Sequence, residues 1–293
     1  MSWPNRPILR SNGPVTGILF LFLLIATSAF AGTAHAKAKS FTLDPASGWV
    51  VKWSQTSCIL ARKFGTGSKP FLLSLKAYAP GYQFEVTLAG AQTWGYRKGG
   101  LLVAYGDSEP QAIGPPQNGH MNTYGPAVIF TSTLPNWKAY PDTEFENGLQ
   151  RIAISTVRRK LILNTGPMAK ALSALRQCTD NLIVLRGFDP EVQNALSRRI
   201  KPIDPSRWID PIQKEFPPEL FAMARNATVH ILVRVDEKGM PTRCDTVQTF
   251  DNTDFDVRAC GIILDKARFH PALDRNGQPV ASYYANFIAY HQK

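Results

Sequence analysis

The sequence predicts an α+β protein in which an N-terminal antiparallel β-rich domain, closed by a helix, precedes a smaller α+β domain. Short β-branched and aromatic runs, separated by glycine, proline and asparagine, recur between about residues 40 and 165. A helical pattern follows them, and strand and helix patterns then alternate over the last part of the chain. With 293 residues and 44% hydrophobic content, the chain is long enough to form two packed cores.

The N-terminus has the pattern of a secretory signal peptide. Arg6 and Arg10 precede an apolar run from Ile18 to Ala26, and an A-x-A cleavage pattern follows at Ala34–Ala36. We therefore predict that residues 1–36 are a signal peptide cleaved after Ala36 and that the protein is exported. The alternative is an uncleaved membrane anchor formed by residues 15–34, a length that just suffices to span a bilayer.

The mature chain is predicted to be basic. Loss of Arg6 and Arg10 lowers the formal net charge from +11 to +9, because no other charged residue precedes Lys37. A basic surface attracts anionic partners of many kinds, but export argues against nucleic acid. The basic residues are scattered apart from small clusters at Arg158–Lys160 and Arg198–Arg199, which favours a solvated face without a partner.

Eight runs in the first domain have the composition of strands, and their regular punctuation favours antiparallel sheets. They are Trp49–Trp53, Ser57–Phe64, Phe71–Tyr78, Phe84–Leu88, Leu101–Tyr105, Ala127–Thr131, Ile152–Val157 and Leu161–Asn164. Pro167 then opens a predicted helix over Met168–Leu185. Four of its residues share one apolar face, namely Ala171, Leu175, Cys178 and Leu182. We assign residues 40–188 to this domain and expect the helix to cover the sheet.

The four cysteines, an even number in an exported chain, predict disulfide bonds. Three pairings are possible. Cys244 is expected on a strand and Cys260 on the helix that packs over it, so a local bond between them is favoured, and Cys58 then pairs with Cys178. A zinc site is the competing interpretation, but the sequence contains no CxxC or HxxxH spacing.

Proline residues mark the segment between the two domains. Residues 189–214 contain four of them, Pro190, Pro202, Pro205 and Pro211, and show little apolar periodicity. This composition predicts an interdomain linker. The second domain is then expected to span residues 215–293.

The second domain has the clearest pattern of the chain. Apolar and polar residues alternate from Val229 to Val235, which predicts a strand with one buried face and places His230 on the outward face. Glycine turns and a variant capping box separate the elements that follow. These are a turn at Asp236–Gly239, a strand at Pro241–Thr249, a helix opened by Thr253–Asp256, a turn at Asn276–Gly277 and a strand at Ser282–Tyr290.

This order of elements resembles the C-terminal domain of the TonB energy-transducer family. Three motifs carry the resemblance: FPPEL at Phe216–Leu220, VRVDEKG at Val233–Gly239 and ARFHPALDRNGQPV at Ala267–Val280. The resemblance implies a three-stranded antiparallel sheet with two helices, in a protein of the Gram-negative envelope. The mature chain is then expected in the periplasm, or at the inner membrane if residues 15–34 form an anchor.

The family uses an edge of this sheet to capture a short peptide of an outer-membrane receptor. By that resemblance, an extended peptide is expected to pair with the last strand. The predicted contact residues are Ser282, Tyr283, Tyr284, Ala285, Asn286 and Phe287. The alternative is that this strand is capped by its own chain or by the second copy of a homodimer.

Two departures from the family argue against a complete energy transducer. Transducers carry a long proline-rich spacer where this chain has a folded domain. Ser28 and His35 also do not match the spacing of polar residues in the family's membrane anchor. The sequence therefore favours an interaction module whose partner is an envelope protein or a receptor peptide.

No catalytic motif is recognisable in the chain, so we predict that the protein is not an enzyme and uses no metal or cofactor. The Gly65–Lys69 segment has the wrong spacing for a phosphate-binding loop and is expected to be a turn. The alternative from another functional class is a periplasmic hydrolase or glycan-binding protein. Its site would lie in the N-terminal domain, near the loops between Tyr105 and Pro126.

Overall fold

The structure is a computed structural model that describes residues 38–67, 70–113, 116–135, 140–214, 226–248 and 253–291. The predicted signal peptide and the FPPEL motif lie outside these residues. The described residues belong to one compact unit. No helix in these ranges combines the length and the apolar character needed to cross a bilayer.

The N-terminal domain is built from two sheets, and the α+β class is confirmed. The first sheet contains β2 (Val50–Trp53), β3 (Cys58–Phe64), β4 (Phe71–Ala77), β5 (Gln83–Ala89), β8 (Gln117–Met121) and β9 (Gly125–Thr133). Its strand order is β2-β3-β4-β5-β9-β8, and every neighbouring pair is antiparallel.

The second sheet contains β1 (Lys39–Leu43), β6 (Leu101–Tyr105), β7 (Gln111–Ile113), β10 (Arg151–Ser155) and β11 (Arg159–Asn164), in the order β1-β11-β10-β6-β7. One pair departs from the predicted antiparallel arrangement, because β1 runs parallel to β11. The sequence pattern did not predict β1, β7 or β8. Lys39–Leu43 is largely exposed and alternates weakly, β7 has only three residues, and β8 contains glycine and few apolar residues.

Both sheets contribute to a single apolar core. Alternate residues of β4 and β5, among them Leu75 and Phe84, face residues of the second sheet such as Val103 and Ile154. Burial of one face of each strand is what the alternating sequence pattern requires. A 3₁₀ helix at Ala91–Tyr96 joins the two sheets.

Helix α2 (Ala169–Val184) covers this core, as the sequence predicted, and follows the short helix α1 (Thr143–Gly148). Its apolar face includes Leu175 and Leu182, both buried. A disulfide between Cys178 and Cys58 of β3, whose Cα atoms are 6.0 Å apart, attaches the helix to the first sheet. This predicted pairing is confirmed.

A buried ion pair joins the two helices. Glu146 of α1 is completely buried, and its carboxylate accepts two hydrogen bonds from the guanidinium of Arg176 on α2. The Tyr82 hydroxyl, just before β5, donates a third at 2.6 Å from Glu146 Oε1. A buried carboxylate is stable only when partners of this kind replace its water shell.

Residues 189–214, predicted to be a linker, form helix α3 (Pro190–Asn194), strand β12 (Lys201–Ile203) and helix α4 (Ser206–Lys214). Pro190 and Pro205 stand at or just before helix starts, where proline is favoured, whereas Pro202 lies within β12 and Pro211 inside α4. Pro190 is the first residue of α3 after the capping Asp189, whose carboxylate accepts from the Glu191 amide at 2.8 Å. Trp208 and Ile212 of α4 belong to the core of the C-terminal domain.

The C-terminal sheet has the order β14-β13-β18, formed by β13 (Asn226–Val235), β14 (Pro241–Gln248) and β18 (Ser282–His291). Helices α4 and α5 (Thr253–Lys266) cover one face of it. The capping side chains predicted at the start of α5 lie outside the described residues. Cys244 of β14 and Cys260 of α5 form the second predicted disulfide.

The ARFHPA segment reaches back to the β13–β14 turn. It forms β15 (Arg268–His270), which pairs with β12, and is followed by a small hairpin of β16 (Ala272–Leu273) and β17 (Pro279–Val280). Gly239 has φ 79°, and a Cβ atom there would lie 2.0 Å from the carbonyl oxygen of Phe269. The turn therefore requires glycine both for its backbone conformation and for the close approach of β15.

Replacement of Arg176 by methionine should lower the free energy of unfolding by about 3–5 kcal/mol, because it leaves the Glu146 carboxylate buried without its cation. Chemical denaturation of wild type and variant measures this loss. The double variant Glu146→Gln, Arg176→Met should recover part of it, because no buried charge remains. A loss below about 1 kcal/mol in the single variant would contradict the structural role of the pair.

Candidate functional site

Strand β18 lies at one edge of the C-terminal sheet, because β13 is its only strand neighbour among the described residues. The pairing is antiparallel and regular from Val235 opposite Ser282 to Asn226 opposite His291. An edge strand presents backbone N–H and C=O groups to which another strand can pair. This is the strand on which the sequence analysis placed its six contact residues.

The two faces of β18 contact different parts of the molecule. On one face the ring of Tyr284 packs against Trp208 and Phe269, with centroid distances of 6.3 and 5.2 Å, and so joins the C-terminal core. On the other face the ring of Tyr283 packs against Phe188, just beyond α2, at 5.4 Å. The strand is therefore held from both faces, and its edge is the part still available for a partner.

The hydrogen-bond pattern shows which backbone groups point away from the sheet. Asp236, directly after β13, donates its N–H to the Met240 carbonyl at 2.9 Å, so the even-numbered residues of β13 face β14. Its odd-numbered residues face β18 and pair with even-numbered residues there. The backbone groups of Tyr283, Ala285 and Phe287 consequently point outward.

Side chains of the protein cap this edge at two places. Gln193 of α3 donates from Nε2 to the Ala281 carbonyl at 3.1 Å and accepts from the Ser282 hydroxyl at 2.6 Å. At the other place the Asn286 side chain folds back, and its Oδ1 accepts the Phe287 N–H at 2.8 Å. These contacts support in part the alternative in which the chain caps its own edge.

A short open section remains between the two caps. No described residue hydrogen-bonds to the outward backbone groups of Tyr283 and Ala285. We call this section the edge window and define it as residues 283–285. It is shorter than the Ser282–Phe287 segment predicted from the sequence, because Gln193 and Asn286 occupy its two ends.

The edge window opens into a groove of about 500 Å³. The opposite wall of the groove consists of residues 78–83, and residues 196–202 form its end. The two walls approach each other where Gln83 Nε2 lies 3.5 Å from Asn286 Oδ1. The groove is thus lined by β18 on one side and by residues 78–83 on the other.

The groove is largely aromatic and aliphatic, with positive charge at one end. Arg199 and Lys201 line it, and none of its lining residues is acidic. Burial raises the pKa of Tyr140 and of Tyr283, so both phenols stay neutral at physiological pH. Such a lining suits an extended segment with apolar side chains and an acidic or neutral charge.

A charged cluster joins the outer face of the C-terminal sheet to the N-terminal domain. His230 of β13 is buried there, with its ring 4.1 Å from that of Tyr78 and its Nε2 3.4 Å from Oε2 of Glu85 on β5. The imidazole Nε2 forms no hydrogen bond of good geometry with a described residue, although it lies close to the carboxylate. Tyr78 donates its hydroxyl proton to Glu85 at 3.2 Å, and Lys76 Nζ lies 3.8 Å from the carboxylate.

The environment of Glu85 favours its charged form. Burial by itself would raise the pKa of this carboxyl, but His230 and Lys76 outweigh burial, and the pKa is lowered from its ordinary value of 4.5. The pattern of β13 predicted an outward-facing His230, and the side chain does leave the C-terminal core. What the pattern could not show is that a second domain covers that face.

The structure brings together residues that the sequence analysis did not connect. Gln193 lies in the predicted linker, and the wall at 78–83 is a turn between two N-terminal strands, so neither carried a recognisable motif. The Asp189-Pro190 pair is a helix-start pattern that could have revealed α3. Tyr105–Pro126, where the alternative enzymatic or glycan-binding site was expected, lines neither this groove nor the cavity of about 250 Å³ beside Phe41 and Arg159.

Comparison with known proteins agrees with this description of the C-terminal domain. Residues 212–291 match the family described as Gram-negative bacterial TonB protein C-terminal. The match confirms the resemblance seen in the sequence, and it identifies an interaction domain of Gram-negative envelope proteins. It covers only the C-terminal domain and leaves the β-rich domain unassigned. No curated protein is significantly similar to the chain.

Replacement of Glu85 by glutamine should destabilise the protein by about 1–3 kcal/mol at pH 7, because the carboxylate and its charged neighbours stabilise each other. The lowered pKa of Glu85 means that this stabilisation is complete above its ordinary pKa of 4.5 and is lost as the pH falls through the lowered value. Denaturant unfolding of both proteins between pH 7 and 3 measures it. A difference that stays constant across this range would contradict the assignment.

Proposed function

We propose that this protein is a periplasmic envelope protein that binds an extended peptide segment along the edge window of β18. Outer-membrane receptors of the TonB-dependent transport class are the proposed source of the peptide. The observation that carries the proposal is the pair of outward-facing residues, Tyr283 and Ala285, whose backbone groups bind no described residue and open into a groove. The family match supports a protein partner.

The short edge window predicts modest affinity. A peptide that pairs with Tyr283 and Ala285 gains only a few backbone hydrogen bonds, each worth about 1 kcal/mol net. Apolar contacts with the groove wall add to them. We therefore expect a Kd in the micromolar range, about −8 kcal/mol of binding free energy.

The proposed role is an interaction module without the full energy-transducing machinery. Helix α4 contributes Trp208 to the C-terminal core, and the outer face of the C-terminal sheet packs on the N-terminal domain through His230. A C-terminal domain fixed in this way differs from one carried at the end of a long spacer. Residues 1–36 are proposed to be a cleaved signal peptide, and the mass of the exported protein tests this directly.

Replacement of Ala285 by proline should weaken peptide binding at least tenfold. Proline removes the outward N–H and places its ring at the edge, while the hydrogen bonds from β18 to β13 stay intact because that N–H does not face β13. Titration of the full chain with receptor-derived peptides, followed by the amide signals of residues 282–290, measures the effect.

The matched control is Ala285→Ser, which keeps the N–H and should bind as wild type does. Both variants should unfold close to the wild-type midpoint. Wild-type binding by a folded Ala285→Pro protein would show that the edge window is not the site. Sedimentation of the free protein distinguishes peptide capture from pairing with a second copy, because a homodimer formed at this edge would dissociate in the proline variant.

Replacement of Asn286 by alanine should strengthen peptide binding a few-fold. The Phe287 N–H, now bound by Asn286 Oδ1, becomes free to donate to the peptide, and one added hydrogen bond contributes about 1 kcal/mol. The same titration measures the change. Asn118→Ala, a change in β8 remote from the edge, should leave the affinity unaltered, and weaker binding by the Asn286 variant would contradict its role as a cap.

A further inference from the structure

Six basic side chains from separate parts of the sequence lie at one end of the second N-terminal sheet. We call this group the basic end and define it by Lys39, Arg97, Lys98, Arg158, Arg159 and Lys160. The sequence showed only the consecutive cluster at 158–160. The fold places the other three residues beside this cluster, so that the six side chains form one basic surface.

Backbone contacts and close approaches bring these residues together. Lys39 donates its N–H to the Arg158 carbonyl at 2.9 Å and lies opposite Arg159 in the parallel β1–β11 pair. The 3₁₀ helix packs against the same place, because a Cβ atom on Gly95 would lie 2.6 Å from Nε of Arg159. Arg97 directly follows that helix.

The charges of the basic end are not neutralised within the described part of the protein. None of the six residues forms an ion pair with a described carboxylate. The segments that build this end, residues 38–43, 90–104 and 153–163, contain no aspartate or glutamate. Their positive potential is therefore available to an anionic partner.

Exposed apolar side chains accompany the charges. Val157 is 93% exposed at the tip of the β10–β11 hairpin, next to Arg158. Trp94 is 67% exposed on the 3₁₀ helix, and the Arg97 guanidinium stacks over its ring at 4.2 Å. Tryptophan beside arginine and lysine is the combination that anchors proteins at the interface between lipid head groups and acyl chains.

We propose that the basic end binds the surface of anionic phospholipid bilayers. The cations contact lipid phosphates, while Trp94 and Val157 enter the head-group layer. A bilayer fits these features better than an acidic protein, because the exposed side chains of Trp94 and Val157 accompany the cations and can enter a head-group layer. The chain also meets a membrane during its export, since the apolar run Ile18–Ala26 is interpreted as either a leader or an anchor.

The test compares the binding of one protein to two kinds of vesicle, phosphatidylglycerol mixed with phosphatidylcholine and phosphatidylcholine alone. The readout is the difference in partitioning between the two, and because every variant keeps residues 1–36, including Arg6 and Arg10, their contribution cancels when variants are compared. Arg158→Glu with Lys160→Glu should reduce binding to the anionic vesicles at least about thirtyfold, because each basic group near such a surface contributes roughly fivefold. Binding of the wild type should also weaken as salt is raised.

The matched control is Lys238→Glu with Arg275→Glu, which makes the same change in net charge in two exposed turns of the C-terminal domain. It should keep most of the wild-type binding. Equal losses in both double variants would show that net charge alone attracts the vesicles, and unchanged binding by the Arg158 and Lys160 variant would exclude the basic end. Either result overturns the proposal.

Tryptophan fluorescence gives a second, independent readout. Anionic vesicles should shift the emission of the wild type to shorter wavelength, and Trp94→Phe should abolish most of the shift. Trp53→Phe, which removes a side chain 56% exposed on β2, should retain it. Stronger binding to lipopolysaccharide than to phosphatidylglycerol vesicles would contradict the choice of phospholipid as the ligand.

Discussion

The burial of the outer face of the C-terminal sheet is the constraint on which the rest of the structure depends. His230 leaves the C-terminal core and is covered by Tyr78 and Glu85 of the N-terminal domain. Arg234 extends the same contact, with its guanidinium 4.7 Å from the Phe188 ring and a hydrogen bond to the Arg186 carbonyl. A three-stranded sheet with one face exposed to solvent would be free to move relative to the N-terminal domain. Here the N-terminal domain supplies the missing layer, and the edge of β18 consequently faces residues 78–83.

Residues 78–83, which form the opposite wall of the groove, are held in place by a hydrogen bond to the buried carboxylate of Glu146 in the N-terminal domain. Tyr82 belongs to the turn that lines the groove, and its hydroxyl donates to Glu146, the carboxylate that Arg176 neutralises. The same helix α2 carries Cys178, so a disulfide attaches it to the first sheet and an ion pair attaches it to α1. The groove opposite the edge window is therefore lined by elements that are fixed by folding, so the proposed peptide would meet a site that is already formed.

Local pattern predicted the elements well, whereas contacts between distant segments were not predictable from it. Turn glycines and alternation located β13 and β18, and the predicted strand and helix positions of Cys244 and Cys260 indicated their disulfide, which left Cys58 to pair with Cys178. The linker prediction missed α3 and α4, because prolines at helix starts give a segment the same composition as a proline-rich loop. The caps on the edge, Gln193 and Asn286, could not be predicted, since neither residue type is distinctive and the contacts depend on tertiary geometry. The family resemblance gave the edge strand but not how much of it is open.

The space between β18 and the opposite wall restricts which segments can bind at the edge window. Neighbouring strands in a sheet lie about 4.8 Å apart, so a single extended segment fits beside β18. The sheet of another folded domain brings further strands and side chains with it, and the close approach of Gln83 to Asn286, at 3.5 Å, leaves little room for them beside that part of β18. The geometry thus favours an isolated strand over a folded partner. Because Arg199 and Lys201 line one end while acidic residues are absent from the lining, the electrostatics further favour a segment that carries a carboxylate at that end.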